Sequence, residues 1–319
     1  MLQQFANLKL FSLNSVIHQM FKIAWDPLYH HPLPENHRFP MEKYSLLPDQ
    51  LVFEGTITPD QFFEPIPVTE NEICLCHDAS YWKKLLSLQL SPSEIRKTGF
   101  PLSHQLVQRE ITIAGGTLQA SRFAMKHGVA MNIAGGTHHA FTDRGEGFCL
   151  LNDVAIAVSV LLKESLIQSA LIVDLDVHQG NGTAQIFESD SRVFTFSMHG
   201  SKNYPLHKEV SDLDVELEDG TTDEQYLAIL NNKLPQLIDF QNPDIIFFQS
   251  GVDVLKSDKL GRLGLTIQGC RERDQIVFTL AKQSGIPVVA TMGGGYSERI
   301  ADIIEAHANT FRIAASMWA

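Results

Sequence analysis

Short runs of apolar, often β-branched residues recur along the chain, and each run is bounded by Gly, Asp or His. A strand buried on both faces of a parallel sheet shows this pattern. Segments with helical periodicity separate the runs. Because strands alternate with helices, we expect an open parallel β-sheet flanked by helices, an α/β fold. The predicted strands cover residues 129–134, 170–174, 193–197, 244–249 and 287–291.

The predicted helices have recognisable ends. Gly128 and Gly285 follow two of them, and glycine readily adopts the left-handed conformation that closes a helix. Asn152 precedes a third helix and can cap its first turn. The predicted helices cover residues 116–127, 153–163, 223–237 and 271–284.

The chain reads as one domain, since no repeat, low-complexity tract or linker interrupts the alternation. Residues 1–20 are mildly apolar and are expected to form an N-terminal extension, with residues 21–319 as the folded domain. From Lys22 to about Glu70, many prolines and aromatic residues favour loops and short turns over long regular elements.

Composition excludes several classes of protein. The net charge of −12 disfavours nucleic acid as a partner, which usually calls for a basic face. The sequence shows neither an apolar run of the ~20 residues that span a membrane nor a convincing signal peptide, so we expect a cytoplasmic protein. The 4 cysteines do not suggest a disulfide framework in a chain of 319 residues.

Chemically active side chains follow the predicted strands at their carboxyl ends. In open α/β sheets, ligands bind just beyond these ends. Segments far apart in the sequence should therefore converge on one rim of the sheet. The residues concerned are His138 and His139, then Asp174, Asp176 and His178, then Asp253, and finally Gly293 to Gly295 with Tyr296.

The segment LIVDLDVHQGNG predicts a cation site. Asp174, Asp176 and His178 alternate at the end of an extended segment, so all three can point to one side. Carboxylate and imidazole ligands suit Zn²⁺, although other divalent metals also fit. Asp253 can supply a third ligand and leave a position open, as a catalytic zinc requires. Alone, the D-x-D-x-H pattern also fits a solvated strand end, and an Asp after a strand is usually a helix cap.

Two further motifs suggest proton transfer and oxyanion stabilisation. GGTHHAF places His138 and His139 after a glycine pair, and a histidine near water on a metal can serve as general base and then as general acid. Adjacent histidines are also common as surface accidents. Tyr296 follows three glycines, which allow close approach to a ligand, and its hydroxyl can donate to an oxyanion. A glycine turn with an exposed tyrosine is the plainer interpretation of that motif alone.

Together these motifs resemble the histone deacetylase superfamily, which has the arginase/deacetylase fold. The likeness spans about residues 22–315 and runs through HPLPENHRFPMEKY, GGTHHAFTDRGEGFCLLNDVAIA, LIVDLDVHQGNG, SGVDVLKSDKLGRLGLT and GGGYS. The DRG before GFC and the HQGN sequence look most like the class IV branch and its bacterial relatives, since most other branches have His where this chain has Gln179. The resemblance implies a zinc-dependent hydrolase that removes acetyl or longer acyl groups from lysine, with residues 21–319 as its catalytic domain.

The resemblance also implies the metal ligands. Asp176, His178 and Asp253 would bind one zinc ion. A potassium ion would lie nearby, held by Asp174, by the backbone oxygens of Asp176 and His178, and by Ser197.

Catalytic and substrate-binding roles are implied in the same way. His139 would be the main proton shuttle, with His138 as its electrostatic partner and Asp174 orienting His138. Tyr296 would hold the substrate carbonyl. Asn181 stands where many relatives have the Asp that pairs with this histidine, so His139 should be less basic than in those relatives. The acyl-lysine channel would be lined by Gly147 and Phe148, with Leu260 further along its wall.

Other substrates and activities also fit this site. A deacetylase of small amines, such as the acetylpolyamine amidohydrolases, shares it, and the class IV likeness raises long fatty acyl groups as substrates. A manganese ureohydrolase of the arginase type would need more aspartates, because His138 and His139 fill the positions of its second metal. A non-catalytic reader of acyl-lysine is disfavoured because every expected catalytic side chain is present.

Overall fold

One parallel β-sheet organises residues 21–318, the part of the chain that the computed structural model describes. The strands are β1 (Lys22–Ala24), β2 (Phe62–Phe63), β3 (Val129–Asn132), β4 (Ala170–Asp174), β5 (Val193–Gly200), β6 (Leu213–Leu217), β7 (Ile245–Gln249) and β8 (Val288–Thr291). They form a sheet of 8 strands in the order β2-β1-β3-β8-β7-β4-β5-β6. All neighbouring pairs run parallel, so the predicted fold class is confirmed.

Helices flank this sheet. They are α1 (Lys43–Phe53), α2 (Glu70–Ile73), α3 (Ala79–Leu86), α4 (Pro92–Thr98), α5 (His104–His127), α6 (Asp153–Lys163), α7 (Asn181–Phe187), α8 (Asp223–Gln241), α9 (Ile267–Gln283) and α10 (Ile300–Trp318). The Asn152 side chain accepts a hydrogen bond from the Ala155 backbone N–H, as expected for the cap of α6. Gly128 ends α5 at φ +90°. Among the described residues, none of these helices is long and apolar enough to cross a membrane.

The five predicted strands are β3, β8, β7, β4 and β5, which lie side by side in the middle of the sheet. Central strands bury both faces and therefore leave a continuous apolar run in the sequence. The strands that were not predicted are the two edge strands, β2 and β6, and β1 next to β2. β1 and β2 have only 3 and 2 residues, and β6 mixes acidic with apolar side chains.

The expectation of loops between Lys22 and Glu70 was wrong in one place, since α1 is a helix of 11 residues with Pro48 inside it. Leu47 and Leu51 are fully buried, and the helix packs against α10. Apolar packing therefore outweighs the hydrogen bond that the proline removes. Other helices begin earlier or end later than predicted, chiefly α5, which begins at His104. The N-terminal extension predicted for residues 1–20 lies outside the described residues.

The register of the central strands brings their carboxyl ends to one level. Asp174, the last residue of β4, is paired with Gln249 of β7, which in turn is paired with Thr291 of β8. Thr291 is paired with Asn132 at the end of β3. The loops that carry the candidate residues therefore leave the sheet next to one another.

Candidate active site

Three buried side chains that the sequence singled out meet beyond the ends of β4 and β7. One ligand atom from each of Asp176, His178 and Asp253 lies within 4.8 Å of the others. His178 Nδ1 is 3.0 Å from Asp176 Oδ1 and 3.1 Å from Asp253 Oδ2. All three side chains are buried, so solvent does little to screen them.

Backbone N–H groups fix the two carboxylates. Gly294 N donates to Asp176 Oδ2 at 2.8 Å, and Val177 N donates to Asp253 Oδ1 at 3.0 Å. The other oxygen of each carboxylate remains directed at His178. A Cβ on Gly294 would collide with Asp253 Oδ2, and one on Gly251 would collide with Asp176 Oδ2. Glycine is therefore required at both positions for the loops to approach the carboxylates.

The electrostatics of this group favour a bound cation. Burial, followed by the neighbouring Asp176, raises the pKa of Asp253 to about 7. Burial lowers the pKa of His178, but hydrogen bonds to Asp176 and Asp253 outweigh it and bring the value to about 10. The imidazolium thus supplies the positive charge that two buried carboxylates demand. A divalent cation bound to the neutral imidazole would supply two positive charges, which match the two carboxylates, and the Asp-His-Asp donor set matches the nitrogen and oxygen ligands of zinc.

His138 and His139 lie beside this group with ring centroids 4.1 Å apart. His138 Nδ1 is 2.6 Å from Asp174 Oδ2, and His139 Nδ1 is 2.7 Å from Asn181 Oδ1. Because an amide oxygen only accepts hydrogen bonds, His139 carries its proton on Nδ1 and leaves Nε2 free as a base. Burial, with the charges of His138 and His178, holds the pKa of His139 well below its ordinary value.

Asp174 and Ser197, the side chains expected to hold potassium, lie on adjacent strands. They are direct partners in the β4–β5 register, and both are buried. Asp174 Oδ1 accepts from the Asp176 backbone N–H at 3.2 Å, and Ser197 Oγ lies 2.8 Å from His199 Nδ1. Asp174 is the last residue of β4, whereas β5 continues beyond Ser197 to Gly200, past the strand end predicted at residue 197.

Tyr296 is 9% exposed and lies near the carboxylate pair, with its ring 6.4 Å from that of His178. Burial and the carboxylates of Asp253 and Asp176 raise the pKa of Tyr296 well above its ordinary value, so the hydroxyl stays protonated and able to donate. Its backbone N–H donates to Asp258 Oδ2 at 2.6 Å. Asp258 was not predicted, although an Asp before a Gly-containing turn is a recognisable signal.

Asp258 also orders the neighbouring turn. Its Oδ1 accepts from the backbone N–H groups of Leu260 at 2.8 Å and Gly261 at 2.9 Å. One carboxylate therefore positions both Tyr296 and Leu260 at the site.

A channel of about 220 Å³ leads from the surface to these residues. The predicted Gly147, Phe148 and Leu260 line it, together with Tyr204, which the sequence analysis missed. The Tyr204 ring lies 4.9 Å from that of His139 and perpendicular to it. A Cβ on Gly147 would lie 2.5 Å from His139 Cδ2, so only glycine fits between the wall and this histidine.

Gln179 secures the loop that carries Tyr204. Its Nε2 donates to Glu209 O at 2.6 Å and to Asp214 Oδ1 at 2.9 Å, and its Oε1 accepts from Glu209 N at 2.9 Å. A histidine could not make all of these bonds at once, because its ring offers only two nitrogens. Gln179, the residue at which this sequence differs from most branches of the family it resembles, therefore has a structural role in this chain.

Arg273 on α9 joins the two loops that carry the carboxylates, and it was also missed. Its guanidinium donates to Leu175 O at 3.1 Å, Gly251 O at 2.6 Å and Ser250 O at 3.2 Å. Its Nε donates to Asp274 Oδ1 at 2.8 Å, and both side chains are 0% exposed.

A second buried cation, Lys43 at the start of α1, donates to Gly293 O at 3.1 Å. Lys43 thus helps to fix the glycine loop that precedes Tyr296. Lys43 lies within the HPLPENHRFPMEKY segment that carries the family likeness, but the sequence analysis assigned it no role in the site.

The chain is similar to several known proteins in sequence and in fold. Residues 37–311 match the family model described as histone deacetylase domain. The chain is 42% identical to an uncharacterized protein of Picosynechococcus sp. strain PCC 7002, over 93% of this chain and 99% of that one. It is 30% identical to histone deacetylase 2 of Arabidopsis thaliana, over 84% of this chain and 72% of that protein. A crystal structure of an HDAC homolog complexed with SAHA superposes with a TM-score of 0.79 at 25% identity, covering 93% of this chain and 83% of that one.

Proposed function

The chain belongs to the histone deacetylase family, and we propose that it is a zinc-dependent hydrolase that removes acyl groups from the ε-amine of lysine in proteins. The observation that carries the proposal is the buried set of Asp176, His178 and Asp253. His178 of this set lines the channel together with His139 and Tyr296. A buried site with two carboxylates and an open side suits a catalytic metal better than a structural one.

Asp176, His178 and Asp253 are the residues that would hold the zinc. When bound, the ion supplies Lewis acidity toward an amide carbonyl and toward water. The remaining chemistry belongs to the side chains around it.

His139 is placed to move the protons. Its Nδ1–H is held by Asn181, so the free Nε2 accepts the proton of the attacking water and then returns it to the departing amine. His138, tied to Asp174, lies beside it and tunes its basicity through charge. With Asn181 in place of a carboxylate, the hydrogen-bond partner of His139 Nδ1 brings no negative charge to stabilise the protonated form of His139.

Tyr296 is placed to donate a hydrogen bond to the carbonyl oxygen as negative charge develops on it. Its phenol stays protonated at neutral pH, and Asp258 fixes its backbone. The walls formed by Phe148, Tyr204 and Leu260 suit the aliphatic chain of lysine and exclude water from the reacting atoms.

Two finer assignments follow from the same residues. We propose that Asp174 and Ser197 contribute to a potassium site next to the zinc, because a buried carboxylate and a buried hydroxyl occupy paired positions of β4 and β5. The Gln179-Gly180-Asn181 sequence supports placing the chain in the class IV branch.

The test is the rate of hydrolysis of lysine peptides that carry acyl chains from acetyl to myristoyl, for the zinc-loaded wild type and Tyr296→Phe. We expect turnover by the wild type and a kcat lower by about 10²–10³-fold in the variant, because it lacks one oxyanion donor. Zinc content measured on the same samples should not change. Unchanged turnover in Tyr296→Phe, or no hydrolysis of any acyl-lysine peptide by the zinc-loaded wild type, would refute the proposal.

A further inference from the structure

The mouth of the channel carries positive charge, although the chain as a whole has a net charge of −12. Among the described residues that line the channel, Arg38 and Lys97 carry full charges, and none is Asp or Glu. We propose that these two cations select acyl-lysines flanked by acidic residues and disfavour polycationic amines. This inference rests on the proposed function and adds the class of substrate.

Arg38 is held at the mouth by an aromatic contact. Its guanidinium carbon lies 5.0 Å from the centroid of the Phe148 ring, which forms one wall of the channel. The side chain is exposed, and the arrangement is a favourable cation–π geometry. A substrate whose lysine lies against Phe148 therefore passes next to this guanidinium.

Lys97 is tied to the same wall through its backbone. Its carbonyl accepts a hydrogen bond from Gly147 N at 3.0 Å, and the following Thr98 carbonyl accepts from Phe148 N at 2.8 Å. The end of α4 is thus fixed to the turn that forms the channel wall. The Lys97 side chain is 58% exposed and extends from this anchored position.

The nearest carboxylate, Glu146, already has other partners. Its Oε2 accepts from Tyr204 Oη at 2.6 Å, and its Oε1 accepts from Arg144 Nε at 2.8 Å. The Lys97 ammonium is 3.9 Å from Glu146 Oε1, too far for a hydrogen bond. Glu146 therefore divides its charge between Arg144 and Lys97 and offsets only part of the Lys97 charge. The surface that adjoins the channel at Arg38 carries the exposed Lys259, but also the exposed carboxylates of Glu35, Glu42 and Glu298, so the charge that acts on the substrate is that of the channel lining itself.

Substrates differ in what they would place beside Arg38 and Lys97. An acylated polyamine carries further ammonium groups a few bonds from the acylated nitrogen, and these would meet two cations at the mouth. A peptide with Asp or Glu next to the acyl-lysine would present carboxylates there instead. Exposed ion pairs are weak and screened by salt, so the preference should be moderate and should decrease with ionic strength.

The experiment compares three acyl-lysine peptides whose flanking residues are Glu, Gln or Lys, together with an acetylated spermidine, at low and high salt. For the zinc-loaded wild type at low salt, we expect kcat/KM for the Glu peptide to exceed that for the Lys peptide by about tenfold, a size typical of two exposed ion pairs. Acetylspermidine should be the poorest substrate. High salt should reduce the ratio severalfold.

The double variant Arg38→Gln/Lys97→Gln should bring the Glu-to-Lys ratio close to one. Lys163→Gln, which removes an exposed lysine at the end of α6, serves as the control and should keep the wild-type ratio. A purely structural role for Arg38, through its contact with Phe148, would change all three peptides equally and leave the ratio intact.

The Gln peptide tests the proposed hydrolase function separately from the inferred preference for acidic substrates. If the wild type hydrolyses it but shows no preference between the Glu and Lys peptides, the inference is wrong and the proposed function stands. The same holds if the double variant keeps the wild-type ratio or if acetylspermidine is the best substrate. If none of the peptides is hydrolysed, the proposed function is wrong and this inference falls with it.

Discussion

Replacing Arg273 by Met should strongly destabilise the protein, because the substitution removes one partner of a fully buried ion pair. The Asp274 carboxylate, 0% exposed, would lose its charged partner. The carbonyls of Leu175, Ser250 and Gly251 would lose their donor as well. Breaking a buried pair in this way costs about 3–5 kcal/mol. Against a typical free energy of unfolding of about 5–15 kcal/mol, this is a large fraction.

Urea unfolding followed by circular dichroism measures this loss. Arg312→Met is the control. Arg312 pairs with both Glu54 and Glu305 and has 28% of its side chain exposed, so its loss should cost about 1–2 kcal/mol, less than the loss of the buried pair. Arg273→Met/Asp274→Leu should recover part of the stability, because the orphaned carboxylate is gone. If the single variant does not fold while the double variant does, that difference itself shows the cost of the unpaired Asp274 carboxylate.

Zinc affinity gives a second readout. Because Arg273 joins the loops that lead to Asp176 and Asp253, we expect a folded Arg273 variant to bind zinc about 10–100-fold more weakly. The reasoning would be refuted if Arg273→Met lost no more stability than Arg312→Met and bound zinc as tightly as the wild type.

Three further predictions concern the loops around the site. Asp258→Asn should lower kcat about tenfold or more with zinc retained, because the backbone N–H of Tyr296 loses a charged hydrogen-bond acceptor. An unchanged kcat would argue against this positioning role of Asp258. Gly294→Ala should abolish zinc binding, measured by metal analysis, because the new Cβ collides with Asp253; a metal-replete variant would contradict the geometry. Burial lowers the pKa of His77 to about 4. Between pH 6.5 and 4, His77 therefore binds a proton in the unfolded chain but stays neutral in the folded protein. The free energy of unfolding should fall by about 3 kcal/mol over this pH range. His77→Gln should lack this component, and equal pH dependence in the two proteins would contradict it.

The central strands of the sheet could be predicted from the sequence for a physical reason. β4 and β7 are buried along their whole length, so selection for burial leaves uninterrupted apolar runs. At the edges the signal weakens, since β2 has 2 residues and β6 carries acidic side chains. The helix α1 was not predicted because it contains Pro48, which disfavours helix in the sequence. Its stability comes from packing on α10 rather than from local helix preference.

The D-x-D-x-H spacing was enough to single out Asp176 and His178 as candidate metal ligands, although both lie in the bent segment beyond β4 rather than in the strand. Other site residues depend on contacts between distant parts of the chain. Tyr204 meets Glu146 across 58 positions, and Arg273 reaches Leu175 across 98. Such contacts leave no local pattern, and only the folded arrangement of the loops reveals them.

Zinc dependence is the central claim, and one titration tests it most directly. The purified protein is treated with chelator, reloaded with increasing zinc and assayed on an acyl-lysine peptide at each step. We expect activity to disappear on chelation and to return in proportion to bound zinc, with full activity at one ion per chain. Full activity in the metal-free protein, or a requirement for two ions per chain, would contradict it.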